Sequence, residues 1–453
     1  MSPPFALPQP ADLKGKSVLV LGLGSFGGGF GTARALARLG AKVTVSDLRR
    51  PNDLAEARAA LEGLPIQWEL GGHPDSLFTG QLVVVNPAIP PSAKILQTAT
   101  HHGCHLTNEV SLALAARPEL RAMAITGTHG KSTTASVAAH LLAEAGIPSI
   151  LAGNLGGSLF ETVLDLPNNT RLVLELSSFQ TEALQAPPGW PEVSALTCLG
   201  HDHLDRHQTL ENYWACKRRL LDSQNADSLC LVPADGPGTD DWAAACKGEV
   251  LRLGPTTEEN QSYLALAPFK EPWRVSSTLA AIHGAIRLGF PESALKTALP
   301  TWPGLPHRMQ RLPAPEGITL IDNGVATHPE PTTVALQHSD QPVVLCAGGF
   351  DKGLALEDLS KAIFENCSAA HLSGPGGARL EKVLQKLGYP HSTFHSTAET
   401  AYRAAVENLR PGNTLLLSPS FSSFDEFRNF CDRAEMFQNI CRQTFKNSPK
   451  MGM

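Results

Sequence analysis

The segment Ile125-Thr-Gly127-Thr128-His129-Gly130-Lys131-Ser132-Thr133 constrains the fold more than any other part of this 453-residue chain. A β-rich run, Ala122-Met-Ala-Ile-Thr126, leads in, and an amphipathic helical stretch from Thr134 to Ala145 leads out. A glycine-rich turn between strand and helix aims backbone N–H groups and the positive end of the helix dipole at one point, where an anionic group is stabilised. Gly127 and Gly130 let the backbone close around phosphate oxygens. Lys131 can reach the β- and γ-phosphates, and the Ser132 hydroxyl suits Mg2+. The spacing departs from the usual P-loop, because Ala124 or Ile125 holds the place of the first glycine. A tight turn with a surface lysine is the bland alternative.

The same alternation recurs along the chain. Short β-rich runs at 17–21, 42–46, 82–86, 122–126, 149–152, 171–176, 193–198, 228–232, 318–322, 342–347, 369–373 and 413–418 are each followed by helical stretches. This predicts an α/β protein with mostly parallel sheets. The length suits about three domains. The blocks expected are 1–108, 109–304 and 305–453, with the Pro/Gly-rich stretch 300–306 as a linker. Hydrophobic residues at 42% and charged residues at 18% exclude bulk disorder. A net charge of −6 lacks the basic footprint of a nucleic-acid binder. The N-terminus has no signal pattern, and no apolar run is long enough for a membrane span. Nine scattered cysteines without a Cys-x-x-Cys pair suit reduced thiols and a cytoplasmic location.

Block one opens with Gly22-Leu-Gly24-Ser25-Phe26-Gly27-Gly28-Gly29 after a strand, and a second strand ends at Asp47. Alone, this fits a dinucleotide fingerprint and keeps an NAD enzyme open. The rest of the chain adds Asn154 in Gly153-Asn-Leu-Gly156, then Glu175-Leu-Ser177-Ser-Phe-Gln180. Asp202-His203-Leu-Asp205-Arg-His207 and Lys217 come next. The third block carries His307-Arg308, Gly348-Gly-Phe-Asp351-Lys352-Gly353 and Ser418-Pro-Ser-Phe-Ser-Ser423-Phe-Asp-Glu-Phe-Arg-Asn-Phe430. An NAD dehydrogenase explains neither the second phosphate loop nor the tail.

In this order the motifs resemble the Mur ligases, from the loop at Gly22 to the tail near residue 437. Glu175-Leu-Ser-Ser-Phe-Gln180, Gly348-Gly-Phe-Asp-Lys-Gly353 and the tail look most like the members that join D-glutamate to UDP-N-acetylmuramoyl-L-alanine. The resemblance implies a three-domain fold: an N-terminal Rossmann-like domain, a central P-loop ATPase-type parallel or mixed sheet, and a C-terminal Rossmann-like domain. It implies an ATP-dependent amide ligase of peptidoglycan precursor synthesis, acting through an acyl phosphate. ATP, UDP-N-acetylmuramoyl-L-alanine and D-glutamate would be its ligands, and the expected state is a monomer.

The resemblance also assigns residues. Gly127, Thr128, His129, Gly130, Lys131, Ser132 and Thr133 would hold ATP, with Arg308 and Asp322 from the third block. Lys131, Glu175, His203 and Lys217 would be catalytic. Ser132, Glu175 and His203 would hold two Mg2+ ions, together with Lys217 as a carbamate. Carbamylation turns a cation into an anion that can bind metal. Ser25, Phe26, Asp47, Arg49, Asn154 and Ser177 would face the UDP substrate; Thr327, Lys352, Ser423 and Phe430 would face D-glutamate. Bland readings stand beside these: Ser423 as a helix cap, Phe430 as a core aromatic, Lys352 as a turn lysine, Asn154 as a turn residue. His201 and His207 read as structural or solvated.

Three departures from the family pattern stand out. Val325 occupies the place of a lysine, and the family aspartate role near ATP falls on Asp322 or Asn323. Trp273-Arg-Val-Ser-Ser277 lacks the asparagines expected beside adenine. The loop Gly27-Gly-Gly-Phe-Gly31 is about two residues longer than usual. These leave room for a Mur-type ligase with another amino acid or acceptor, or for an inactive nucleotide-binding regulator. Intact Lys131, Glu175, His203 and Lys217 argue against the regulator.

Overall fold

The computed structural model describes residues 6–24, 27–268, 274–339 and 342–445. Ser25, Phe26 and Trp273 lie outside them. Three sheets carry the architecture, each flanked by helices.

The first sheet has the strand order Ile66–Leu70, Lys42–Asp47, Ser17–Leu21, Leu82–Val85, His105–Thr107, all parallel. The order reverses beside Ser17–Leu21. In a doubly wound sheet the crevice past the carboxyl ends of the strands at such a reversal receives ligands. Here those ends carry Gly22 and Asn86.

The second sheet runs Glu249–Leu253, Leu229–Pro233, Val193–Leu196, Ala122–Thr126, Arg171–Glu175, Ser149–Gly153, again all parallel. Ala122–Thr126, Val193–Leu196 and Leu229–Pro233 are buried throughout, as strands covered on both faces must be. Helices Lys131–Glu144 and Val275–Arg287 pack against each other over this sheet. Gly284 keeps the second helix close, because a Cβ there would collide with Met123.

The third sheet runs Gln310–Leu312, Thr319–Asp322, Thr414–Ser420, Val343–Gly348, Cys367–Ser373, Ser392–His395. Its first pair is antiparallel and the rest are parallel. Apolar clusters around Leu345 and Leu416 on one face, and Leu415 and Phe437 on the other, fill its two sides.

The chain forms two compact units, one ending at Trp302 and one beginning at Pro303. This division falls inside the stretch 300–306. The first unit contains the first two sheets, and one apolar cluster from Leu13 to Trp242 draws on both.

The α/β reading holds, and every strand expected from the sequence is present within two residues at each end. Five strands had no clear signal. Ile66–Leu70, Glu249–Leu253 and Ser392–His395 are half-exposed and lie at sheet edges, so their apolar pattern is diluted. His105–Thr107 and Gln310–Leu312 have three residues each, too few for a period. The expectation of uniformly reduced thiols is corrected. Cys230 and Cys246 form a disulfide across 16 residues. Cys230 lies in a strand and Cys246 ends the helix Thr239–Ala245 that returns over it, which brings the Cα atoms to 6.4 Å. Spacing alone hides such a return.

Candidate active site

In the first unit, the strand Ala122–Thr126 ends in the phosphate loop. Gly127 has φ 148° and Gly130 φ 85°, and Gly130 caps the helix Lys131–Glu144 in the left-handed region. A side chain at Gly127 would collide with Thr197, and one at Gly130 with Ser277. The loop is held from below. Thr128 N–H donates to the Cys198 carbonyl (2.9 Å), and Thr128 Oγ1 accepts from Gly200 N–H (2.9 Å). The Thr197 hydroxyl donates to the His129 carbonyl. His129 is exposed, Ser132 half-buried and Thr133 buried in the first helical turn.

Two lysines converge on this loop. Lys131 Nζ donates to the carbonyls of Gly127 (2.9 Å) and Thr128 (3.0 Å). Lys217 Nζ donates to the same Gly127 carbonyl (2.9 Å) from the helix Leu210–Arg218. Lys217 is only 1% exposed, and its ammonium lies 4.5 Å from the Tyr213 ring centroid. Burial, and then the Lys131 charge, lower its pKa to about 7. The structure thus places Lys217 against the P-loop, where a surface helix lysine would not be.

Glu175 ends the neighbouring strand and is buried. Its Oε1 accepts from Asn154 Nδ2 (3.1 Å), and its backbone carbonyl accepts from Asn154 N–H (2.7 Å). Its Oε2 is buried without a hydrogen-bond partner. A desolvated carboxylate oxygen left unpaired costs free energy. This oxygen is a donor that could hold a cation. Ser177 caps the helix Ser178–Thr181 through a capping box with Gln180. His203 sits in a turn at φ 50°, half-exposed, with Asp202 at 3.3 Å and the Phe179 ring at 4.8 Å.

Several of these groups line a cavity of about 590 Å3, and Glu175 reaches it through Asn154. Lys131, Asn154, Ser177, His203 and Lys217 line it on one side; Gly22, Gly24, Gly28 and Asn86 of the first sheet line the other. Asp47 and Arg49 are not in that lining. Arg49 pairs with Asp47 (Nη2–Oδ2 2.9 Å) and donates to the Gly24 carbonyl (3.1 Å), so it braces the glycine loop. Burial opposes ionisation of Asp47, but hydrogen bonds from Arg49 and Leu23 N–H prevail and hold its carboxyl at about 2.

Sequence reasoning missed Asn86, Tyr213 and Glu109 in this lining. Asn86 could have been found, because it follows a strand at the reversal of the first sheet. Glu109 accepts from the Ser158 hydroxyl and Phe160 N–H (both 2.9 Å), and burial raises its pKa to about 7 against those bonds. Nothing local marks it. His207, read as structural, is buried with Nε2 3.0 Å from the Ser178 hydroxyl.

In the second unit, Thr327, Lys352 and Ser423 lie in loops past the carboxyl ends of three adjacent strands: Thr319–Asp322, Val343–Gly348 and Thr414–Ser420. The loops are tied together. Ser420 N–H donates to the Ala326 carbonyl (2.9 Å) and Phe350 N–H to the Ser422 carbonyl (2.8 Å). Buried Arg433 donates to the carbonyls of Gly348 (3.2 Å) and Gly324 (3.4 Å). Sequence reasoning missed this arginine.

Lys352 is exposed, while its neighbour Asp351 is paired with Arg379 (2.6 Å). Ser423 is buried, and its carbonyl accepts from Phe427 N–H (2.9 Å). Phe430 begins the helix Phe430–Phe445, with its ring 6.4 Å from His307. Asp322 is fully buried. It binds His307 Nδ1 (2.7 Å), Gln438 Nε2 (2.8 Å) and Gly324 N–H (2.8 Å). Asn323 donates to the Ser418 hydroxyl (3.0 Å). Arg308 is exposed between His307 and Met309, both at positive φ.

A phosphate loop, a buried carboxylate with one unpartnered oxygen and a lysine of lowered pKa beside a cavity are the parts of a nucleotide-using transferase or ligase site. The family model for the Mur ligase middle domain matches residues 125–284. A Roseiflexus protein is 33% identical over 95% of this chain and 99% of its own length. A Geobacter protein is 31% identical over 95% and 98%. Both are named UDP-N-acetylmuramoylalanine–D-glutamate ligase. Among solved structures, UDP-N-acetylmuramate-alanine ligase from Thermotoga maritima has a TM-score of 0.56 at 17% identity. It covers 95% of this chain and 100% of its own. MurF from Acinetobacter baumannii has a TM-score of 0.56 at 15% identity, covering 96% and 93%. The chain belongs to the Mur ligase family.

Proposed function

We propose that this protein joins D-glutamate to UDP-N-acetylmuramoyl-L-alanine at the expense of ATP, releasing ADP and phosphate. The observation that carries this reading is the convergence of Lys131, Lys217 and the Glu175–Asn154 pair beside one cavity whose far wall carries Gly22, Gly24, Gly28 and Gly29. Full-length similarity to ligases named for that reaction supports it.

The alanyl carboxylate attacks the γ-phosphorus and ADP leaves, giving an acyl phosphate. The neutral D-glutamate amine then attacks the acyl carbon, one N–H proton passes to solvent, and phosphate leaves with the electrons of the broken C–O bond as the amide forms. The P-loop amides and Lys131 hold the β- and γ-phosphates and offset the charge that develops there. Ser132 and Glu175 would hold one Mg2+; His203 and carbamylated Lys217 would hold a second. Glu175 Oε2 is the observation that fits such an ion. Bound Mg2+ supplies further neutralisation of the phosphate oxygens.

Carbamylation of Lys217 needs a neutral amine. Its lowered pKa keeps a large share of that form near pH 7. The amine bonds to the carbon of CO2 and releases one proton, leaving an anion next to Gly127. In the second unit, Lys352 pairs the D-glutamate side-chain carboxylate, with Thr327, Ser423 and Phe430 around it. Arg308 serves the nucleotide, with Asp322 holding the preceding His307 in place, and Asp47 and Arg49 order the loop that holds the UDP moiety. The domains 1–108, 109–304 and 305–453 take these three tasks, in one cytoplasmic monomer. Among the described residues, no helix is long and apolar enough to cross a membrane.

A substrate panel tests this reading. Phosphate release from ATP with UDP-N-acetylmuramoyl-L-alanine should depend on D-glutamate and not on L-lysine, meso-diaminopimelate or L-alanine. Release driven by one of the other amino acids, with none from D-glutamate, would overturn it.

A further inference from the structure

Beside the cavity, three side chains from three segments meet that the ligase chemistry does not use. Glu182 follows the helix Ser178–Thr181, His207 ends the helix Leu204–His207, and Cys216 lies in the helix Leu210–Arg218. Their donor atoms form a near-regular triangle. Cys216 Sγ is 3.6 Å from His207 Nδ1 and 3.9 Å from Glu182 Oε1, and Nδ1 is 3.9 Å from Oε1.

We propose that Glu182, His207 and Cys216 form a site for a divalent cation of the zinc type, distinct in its donors from the magnesium positions at the P-loop. A tetrahedral ion with sulfur at about 2.3 Å and nitrogen and oxygen at about 2.0–2.1 Å places those donors roughly 3.3–3.6 Å apart. The observed triangle therefore needs to contract by only a few tenths of an ångström. The donor set of thiolate, imidazole and one carboxylate oxygen favours zinc over the hard ions Mg2+ and Ca2+.

Two outer contacts already aim the ligands. His207 Nε2 lies 3.0 Å from the Ser178 hydroxyl; with the proton on Nε2, the Nδ1 lone pair points at the triangle. Glu182 Oε2 is held by Arg206 Nη2 at 2.7 Å, which leaves Oε1 for the ion. Arg206 is itself fixed, with its guanidinium 4.2 Å from the Phe179 ring centroid. On binding, the ion takes the Cys216 sulfur and the thiol proton leaves to buffer; the thiolate offsets one charge of the dication, and the Glu182 carboxylate is shared between the ion and Arg206. Glu182 and Arg206 also line a second cavity of about 440 Å3.

The ion would brace the segments that carry Ser177, His203 and Lys217. Cys216 is next to Lys217, and His207 is one helical turn from His203.

Cobalt is the probe. The full-length protein, with the Cys230–Cys246 bond intact and the other thiols reduced, is titrated with Co2+ in excess Mg2+, which occupies hard oxygen sites. One equivalent should bind and produce a near-ultraviolet thiolate-to-cobalt charge-transfer band, which one equivalent of Zn2+ removes. Cys216→Ser should lose the band and weaken Co2+ binding at least tenfold, while Cys431→Ser keeps both. Glu182→Gln should keep the band with weaker binding, which serves if Cys216→Ser does not fold. Zn2+ should raise the melting temperature of the parent and Cys431→Ser, but not of Cys216→Ser. The proposal is overturned if the parent shows no band, if the band survives in Cys216→Ser, or if Zn2+ raises the melting temperature of Cys216→Ser as much as that of the parent.

Discussion

Lys217 shows how little a residue's type says before its surroundings are known. On a helix surface it would be a solvated cation; here it is buried against the Gly127 carbonyl with its pKa near 7. Two predictions follow from that placement. Lys217→Ala should lower D-glutamate-dependent phosphate release by at least about 100-fold, and added short carboxylic acids should restore part of it by standing in for the carbamate. Unchanged turnover in this variant would remove Lys217 from the site.

The second concerns stability in CO2-free buffer. The folded-state value of about 7 lies below the ordinary 10.5, so between these pH values the unfolded chain binds a proton that the folded chain does not. This group therefore makes stability rise with pH from about 7 to 10.5, and adds no slope below 7. Urea melts of Lys217→Met should show a flatter profile across that window than the parent. Parallel profiles would contradict the burial argument.

At the scale of elements, the loops past the carboxyl ends of the strands do the work, and each is fixed by something outside itself. The third sheet is the clearest case. Arg433, on the helix Phe430–Phe445, holds the carbonyls of Gly324 and Gly348 at the roots of the loops bearing Thr327 and Lys352. Its Nε is buried without a partner, so the contact is not optimised for stability alone. Arg433→Lys should raise the KM for D-glutamate about tenfold or more, while the thermal shift given by UDP-N-acetylmuramoyl-L-alanine stays as in the parent. Equal loss of both would mark a general folding defect.

These elements also show where sequence reasoning works. The P-loop, the Gly22 loop and the Gly348–Gly353 loop were legible because phosphate or backbone contacts need glycines and a helix start within a few residues of each other. The buried strands were legible from continuous apolar runs. Edge strands such as Ser392–His395 were not, because residues on both faces meet water and no apolar period remains.

Over the whole molecule, the apolar cluster from Leu13 to Trp242 is complete without any residue beyond Trp302. A fragment ending at Trp302 should therefore melt cooperatively by itself and gain stability from UDP-N-acetylmuramoyl-L-alanine. It should show no D-glutamate-dependent phosphate release. A fragment that fails to fold, by circular dichroism and calorimetry, would show that the first unit depends on the second. The net charge of −6 belongs to this scale as well. Every substrate of the proposed reaction is an anion, so Lys131, Lys352 and the proposed Mg2+ must act locally against an acidic whole.

The sequence by itself determined the α/β class, the parallel strands and the glycine loops, together with the order of motifs that marks a Mur ligase. All of these are written in contiguous residues, where strand period, helix start and turn chemistry act over a few positions. The tertiary structure decided what those residues face. Asn154 on Glu175, Lys217 on Gly127, Asp322 on His307, the Cys230–Cys246 bond and the Glu182–His207–Cys216 triangle all join separate segments of the chain. Such pairings depend on how sheets and returning helices stack, and burial then sets the protonation and the open valences. No local pattern of residues encodes either.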